Sequence, residues 1–124
     1  MQQKSIKLNF EDSCKEFEEL WNEIYSTKEV IVFDASLYPS YLVIELIQIK
    51  ISDRRKGFGT LVMNKIIEFA KKHNKDILLF ADESFGTPKE YLLNFYEKFG
   101  FTENDCSVYS GAWQDYLIYK TLKE

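Results

Sequence analysis

The chain has 124 residues, 45% of them hydrophobic, and 16 basic against 20 acidic side chains leave a formal charge of −4. That is the length and balance of one ordinary globular domain and not of a disordered chain. It excludes a membrane helix, which needs ~20 apolar residues in a row, and net acidity argues against a general nucleic-acid binder.

Residues 1–10 carry no apolar stretch of the secretory type, so none is expected to direct export. Cys14 and Cys106 lie far apart and form no CxxC pair, so both thiols are expected to be free in a reducing cytoplasm. His73 is the lone histidine, which leaves no His-rich metal site and makes a Ser–His–Asp arrangement hard to build; no metal is expected. Without repeats, low-complexity tracts or a Pro/Gly-rich linker, residues 1–124 read as a single domain.

The alternation of Ile6, Leu8 and Phe10 predicts a first strand over Ser5–Phe10. Phe17, Leu20, Trp21 and Ile24 recur at helical spacing behind Asp12 and Ser13, which predicts a helix from Glu11 to Thr27. Val30–Phe33 reads as a short strand and Leu37–Ser40 as a turn. Tyr41–Ile51 is the longest β-like run, with Val43, Glu45, Ile47, Ile49 and Ile51 on one face and Leu42, Ile44, Leu46, Gln48 and Lys50 on the other. Both faces are largely apolar, as in a central strand covered on both sides. A helix over about Gly59–His73 follows, with Val62, Met63, Ile66, Ile67 and Ala70 on its apolar side; His73 at its end complements the helix dipole. Asp76–Ala81 reads as a buried strand. Pro88 suits the first turn of a helix ending near Phe99, and Gly100 its left-handed terminus. Val108–Tyr109 and Tyr116–Leu122 read as a closing strand pair. The order β-α-β-β-α-β-α-β-β is that of an α/β domain with a single mixed β-sheet flanked by helices.

The chemistry lies between the long strand and the helix after it. Gly57 and Gly59 let the backbone approach a ligand, Arg54, Arg55 and Lys56 add positive charge, and the helix start presents unpaired N–H groups. The natural ligand of such a place is a phosphate or pyrophosphate. The loop is not GxxxxGK[ST], and the third glycine of GxGxxG is replaced by Val62, so triphosphate and dinucleotide folds are disfavoured.

Arg54-Arg55-Lys56-Gly57-Phe58-Gly59-Thr60 after a strand resembles the acyl-CoA pyrophosphate loop of the GNAT superfamily, the GCN5-related N-acetyltransferases, whose pattern is Arg/Gln-x-x-Gly-x-Gly/Ala. Downstream, Phe95-Tyr96-Glu97-Lys98-Phe99-Gly100-Phe101 resembles the same family's Phe/Leu-Tyr-x-Lys-x-Gly-Phe segment. The resemblance covers Tyr41–Glu103 well and implies a GNAT-like fold with acetyl-CoA as co-substrate. It implies that the main chain of Ile49, Lys50 and Ile51 hydrogen-bonds the pantetheine arm, and that Arg54, Arg55, Lys56, Gly57, Phe58, Gly59 and Thr60 hold the pyrophosphate. It implies that Tyr96 donates a proton to the departing thiolate, and that an amine attacks the thioester directly.

The amine must lose a proton before it attacks. Glu45 is the candidate base, two positions beyond the family's usual strand glutamate, where this chain has Val43; Glu83 is the reserve. The family's cofactor-contacting Asn is here Lys89, with Asn94 only two residues before Tyr96. Residues 50–75 hold eight basic and two acidic side chains, so positive charge gathers where an anionic cofactor would sit. The expected partners are acetyl-CoA and a protein lysine, N-terminus or small amine. No nucleic acid or membrane is expected, and Tyr109, Trp113, Tyr116 and Tyr119 line either the core or a homodimer surface. The alternative reading is a CoA-binding module without catalysis, and a third is a compact effector that acetylates a host protein.

Overall fold

A computed structural model describes residues 10–26, 30–49, 57–81 and 88–121. The elements run α1 (Phe10–Ser26), β1 (Val30–Leu37), β2 (Tyr41–Ile49), α2 (Phe58–Lys72), β3 (Asp76–Leu79), α3 (Lys89–Glu97), β4 (Thr102–Glu103) and β5 (Leu117–Tyr119), with a 3₁₀ turn at Gly111–Trp113. The sheet order is β1-β2-β3-β5-β4. Among the described strands β2 and β3 are parallel and the other neighbours antiparallel. The parallel pair needs a crossover, and α2 supplies it. This is the expected α/β arrangement around a single mixed sheet. The strand expected at Ser5–Phe10 lies outside the described residues, apart from Phe10, which opens α1.

The two central strands are buried from both sides. Leu42, Val43, Ile44, Ile77, Leu78 and Leu79 are all fully buried, each stabilising the fold by roughly 1.5–3 kcal/mol. One face carries Phe33, Ala35, Leu42, Ile44, Ile77, Leu79 and Leu117, and packs against apolar residues of α1, α2 and α3. On α1 these are Phe17, Leu20 and Ile24, at the spacing that puts them on one helical stripe. The opposite face holds Val43, Leu78 and Ile118 under Tyr41, Tyr109, Trp113 and Tyr116. Aromatic rings from the connection between β4 and β5 thus cover the face that helices leave open.

Two expectations give way here. Val108–Tyr109 forms no strand; Thr102–Glu103 pairs with Ile118 and Leu117 instead. The Asn104 amide donates to the carbonyls of Tyr109 and Trp113, at 2.8 and 2.7 Å, so a side chain satisfies acceptors that a ladder would have used. The alternation of β2 also breaks. Asp34 opposes Leu46 and Ala35 opposes Ile44, which leaves Glu45 as an extra, bulged residue. Beyond it Ile47 packs with the Leu42 and Ile44 cluster, so Ile47 does not share the face of Glu45.

The helix ends follow their local chemistry. Asn74, with φ 54°, closes α2 as the Lys75 N–H donates to the Ala70 carbonyl at 2.9 Å. Gly100, with φ 101°, closes α3, and a Cβ there would stand 3.2 Å from the Tyr119 ring.

His73 also differs from expectation. Its ring is fully buried, with Nδ1 3.0 Å from Ser13 Oγ and Nε2 3.2 Å from Glu16 Oε2, and it rests on Phe69. Burial pulls its pKa down, with Lys72 and Lys75 adding to this and Glu16 opposing, so it joins α1 to α2 as a neutral ring and does not serve the dipole as a cation. A depressed folded pKa means that stability is complete above the unfolded value near 6.5 and is lost as pH falls below it. Glu16, held low first by its bond to Lys72, loses stability in the same direction further down. Urea midpoints should therefore fall between pH 7 and pH 5, and His73→Gln should flatten the upper part of that fall.

Candidate functional site

The parallel ladder between β2 and β3 is short. It runs from Tyr41 opposite Asp76 to Ile44 opposite Leu79, with a last bond from the Phe80 N–H to the Ile44 carbonyl at 3.0 Å. Beyond that, β2 continues to Ile49 with β1 on one edge and, among the described residues, no strand on the other. The bulge at Glu45 falls where the two strands part. Among the described residues the result is an opening in the sheet, bordered by an edge of backbone donors and acceptors that no described strand pairs.

In sequence, α2 is the element that follows β2, across residues 50–56, which lie outside the described residues. Gly57 is its N-cap, left-handed with φ 89°, and a Cβ there would find nothing within 4 Å. The Leu61 N–H closes the first turn on the Gly57 carbonyl at 3.0 Å, so the N–H groups of Phe58, Gly59 and Thr60 head the helix as first-turn donors with no acceptor among the described residues. No acidic residue stands in that turn. Open space, helix-start donors and an absent acid fit a phosphate group.

Gly59 serves a second purpose that its sequence context conceals. A Cβ there would meet the Phe95 ring at 3.3 Å. Phe95 packs on Tyr96 and Phe99, and Tyr96 on Phe101. The missing side chain therefore lets α3 dock against the head of α2 and brings Tyr96 within one side chain of it. Tyr96 is buried, and burial pushes its pKa up to about 12.

Glu45 is half-buried on the other face of the sheet, where the Tyr116 hydroxyl donates to its Oε2 at 2.5 Å. Tyr116 in turn packs between Phe80 and Trp113. Beside it is a cleft of about 180 Å³, lined by Phe80, Ala81, Lys89, Leu93, Glu103 and Tyr116 among others. Tyr116 is the site residue that the sequence reading missed: it lies 71 positions from Glu45, and no local pattern marks such a contact.

Of the residues read from the sequence, Gly57, Phe58, Gly59 and Thr60 meet at the head of α2, with Tyr96 close behind. Ile49 ends the open strand edge. Lys50, Ile51, Arg54, Arg55, Lys56 and Glu83 lie outside the described residues. Lys89 is exposed at the start of α3 and borders the cleft, whereas Asn94 is exposed on α3. Tyr109 donates to Asp76 at 2.7 Å, and Tyr119 packs on the helical side. The described residues hold no group of histidine, cysteine and carboxylate side chains placed to bind a metal, and no helix among them is long and apolar enough to cross a membrane.

Gly59→Ala forces the Phe95 ring to give way by a few tenths of an ångström and should cost about 1–3 kcal/mol, as overpacking does. Urea unfolding of the variant measures this directly.

A profile of the acetyltransferase (GNAT) family matches residues 40–101, from the start of β2 through α3. No curated protein matches the sequence. Among solved structures the fold is similar to that of the anti-CRISPR protein AcrVA5, with a TM-score of 0.57 and 18% identity, covering 71% of this chain and 87% of that one. It is also similar to Arabidopsis thaliana Naa50 in complex with the bisubstrate analogue CoA-Ac-MVNAL, at TM-score 0.54 and 19% identity, covering 73% of this chain and 64% of that one, a little under two thirds. Ard1 from Thermoplasma volcanium gives 0.52 and 18%, covering 86% and 80%. At these identities the likeness to the three structures is one of fold. The family match takes in the split β2–β3 pair, the left-handed glycine at the head of α2 and the tyrosine of α3, and over that half of its length this chain belongs to the acetyltransferase (GNAT) family.

Proposed function

We propose that the protein transfers an acetyl group from acetyl-CoA to a primary amine, which attacks the thioester directly. The observation that carries this reading is the opening between β2 and β3 in a chain whose next helix starts with the donors of Gly57–Thr60. In this reading those donors, with Arg54, Arg55 and Lys56, hold the pyrophosphate, and the free edge of β2 through Ile49 and onward to Lys50 and Ile51 binds the pantetheine amides as an added strand. The co-substrate supplies an electrophilic thioester carbonyl and a thiolate leaving group.

Tyr96 and Glu45 then divide the proton traffic. With its pKa near 12, the Tyr96 phenol keeps its proton at neutral pH. A thiol ionises near ~8.5, so complete transfer from this phenol to the sulfur runs uphill. Tyr96 acts by donating a hydrogen bond to the charge that develops on sulfur, a stabilisation that grows in the transition state. Glu45 is the terminal acceptor of the proton that the ammonium must lose. The two side chains belong to opposite faces of the sheet, and the β2–β3 opening is where a thioester would meet both.

Turnover of acetyl-CoA with a panel of amines (a lysine-bearing peptide, a peptide with a free N-terminus, spermidine) tests the reading by thiol release. Tyr96→Phe should lower kcat on the order of 100-fold and leave calorimetric CoA affinity within a few-fold. Unchanged turnover removes Tyr96 from the mechanism. Tight CoA binding without acetyl transfer to any amine favours a binding module instead.

A further inference from the structure

We propose that Tyr116 is a proton relay, through which an amine bound in the cleft beside it delivers its proton to Glu45. The inference rests on the reading of Glu45 as the base. Its starting point is a gap in that reading: Tyr116 borders the cleft, but Glu45 is not among the described residues that line it. Glu45 is half-buried on the bulge, and its Oε2 accepts the Tyr116 hydroxyl at 2.5 Å.

A hydroxyl is both donor and acceptor. With its hydrogen committed to Glu45, the Tyr116 oxygen presents lone pairs to a donor arriving from the cleft. An ammonium there gives one proton to the Tyr116 oxygen as the Tyr116 proton passes to Glu45 Oε2. The amine becomes neutral and nucleophilic, Tyr116 ends as it began, and Glu45 carries the proton. No free tyrosinate forms. That agrees with the direction of its pKa, which burial and then the bond to Glu45 push up.

The surroundings hold the relay in line. Phe80 and Trp113 lie against the Tyr116 ring at centroid distances of 5.4 and 5.2 Å, and the Tyr116 N–H donates to the Trp113 carbonyl at 3.1 Å. The bulge fixes the other end: the extra residue in β2 puts Glu45 on the Tyr116 side while Ile47 returns to the helical core. Glu103 and Asp115 in the cleft lining favour a cationic occupant, and Lys89 in the same lining limits how much positive charge it can carry.

The test is a double-mutant cycle of Tyr116→Phe and Glu45→Gln, read as kcat/KM for the best amine of the panel, with CoA affinity measured by calorimetry. Phenylalanine keeps the ring between Phe80 and Trp113, so CoA affinity and melting temperature should stay close to wild type. Each single variant should lose about 100-fold in kcat/KM, and the double variant should lose no more than either alone. Additive losses overturn the relay, since the two residues would then act separately. A loss in Glu45→Gln with wild-type turnover in Tyr116→Phe overturns the relay and leaves the base in place. Full activity in Glu45→Gln overturns the base, and the relay with it. Absence of turnover with every amine removes the acetyltransferase reading and both roles together.

Discussion

Among the described residues the parallel pairing of β2 and β3 stops at Ile44 and Phe80, and most of the proposed ligand site follows from that. A parallel ladder that continued would consume the edge of β2 and close the sheet. Instead the strands part where β2 takes in an extra residue, Glu45. A bulge adds local twist and bend, which turns the end of β2 away from its neighbour. The cost of leaving backbone groups without a ladder is tolerable only if water or a ligand satisfies them. The same bulge redirects side chains, sending Glu45 to the aromatic face and Ile47 to the helical core.

The split is stable because the halves of the two strands that do pair are anchored heavily. Six fully buried aliphatic residues lie in three paired positions, covered by helices on one side and by aromatic rings on the other. Polar groups finish the anchor at the far end of β3. Buried Asp76 accepts the Tyr109 hydroxyl at 2.7 Å and the Thr121 N–H at 3.1 Å, and buried Lys75 donates to the Pro39 carbonyl at 2.7 Å. Satisfied buried polar groups of this kind specify one register, since a slip would leave each of them without a partner. Rigidity at one end of the pair and opening at the other are thus two parts of one arrangement.

What could be read in the sequence was local. The stripe Val62, Met63, Ile66, Ile67 and Ala70, with two glycines before it, has a helical period and a recognisable start, and α2 lies where the period puts it. Gly100 marked the end of α3 for the same reason, since its positive φ is a property of one residue. The bulge was hidden because both faces of Tyr41–Ile51 are apolar, so a shift of one residue leaves the pattern looking the same. Val108 and Tyr109 looked like a strand by residue type, but the Asn104 amide had already taken the carbonyls of Tyr109 and Trp113. Gly59 was legible as a residue that must be small, whereas the reason, the Phe95 ring 36 positions on, was not. The Glu45–Tyr116 bond has a still longer separation and no pattern at all.

The division of the sheet into two faces also bears on the proposed chemistry. Tyr96 sits on the helical side, in an environment dry enough to hold its phenol near pKa 12. Tyr116 and Glu45 sit on the other side, next to a cleft that opens to solvent. A donor for a departing thiolate gains from a dry setting, where a hydrogen bond to developing charge is strongest. A group that must pass protons onward gains from access to water. A single shared pocket would force both into one environment. In the proposed chemistry their places on the two faces let each keep the surroundings its task requires, while the cleft beside Tyr116, whose lining includes Lys89 and Leu93 of the helix that carries Tyr96, links the two sides of the sheet.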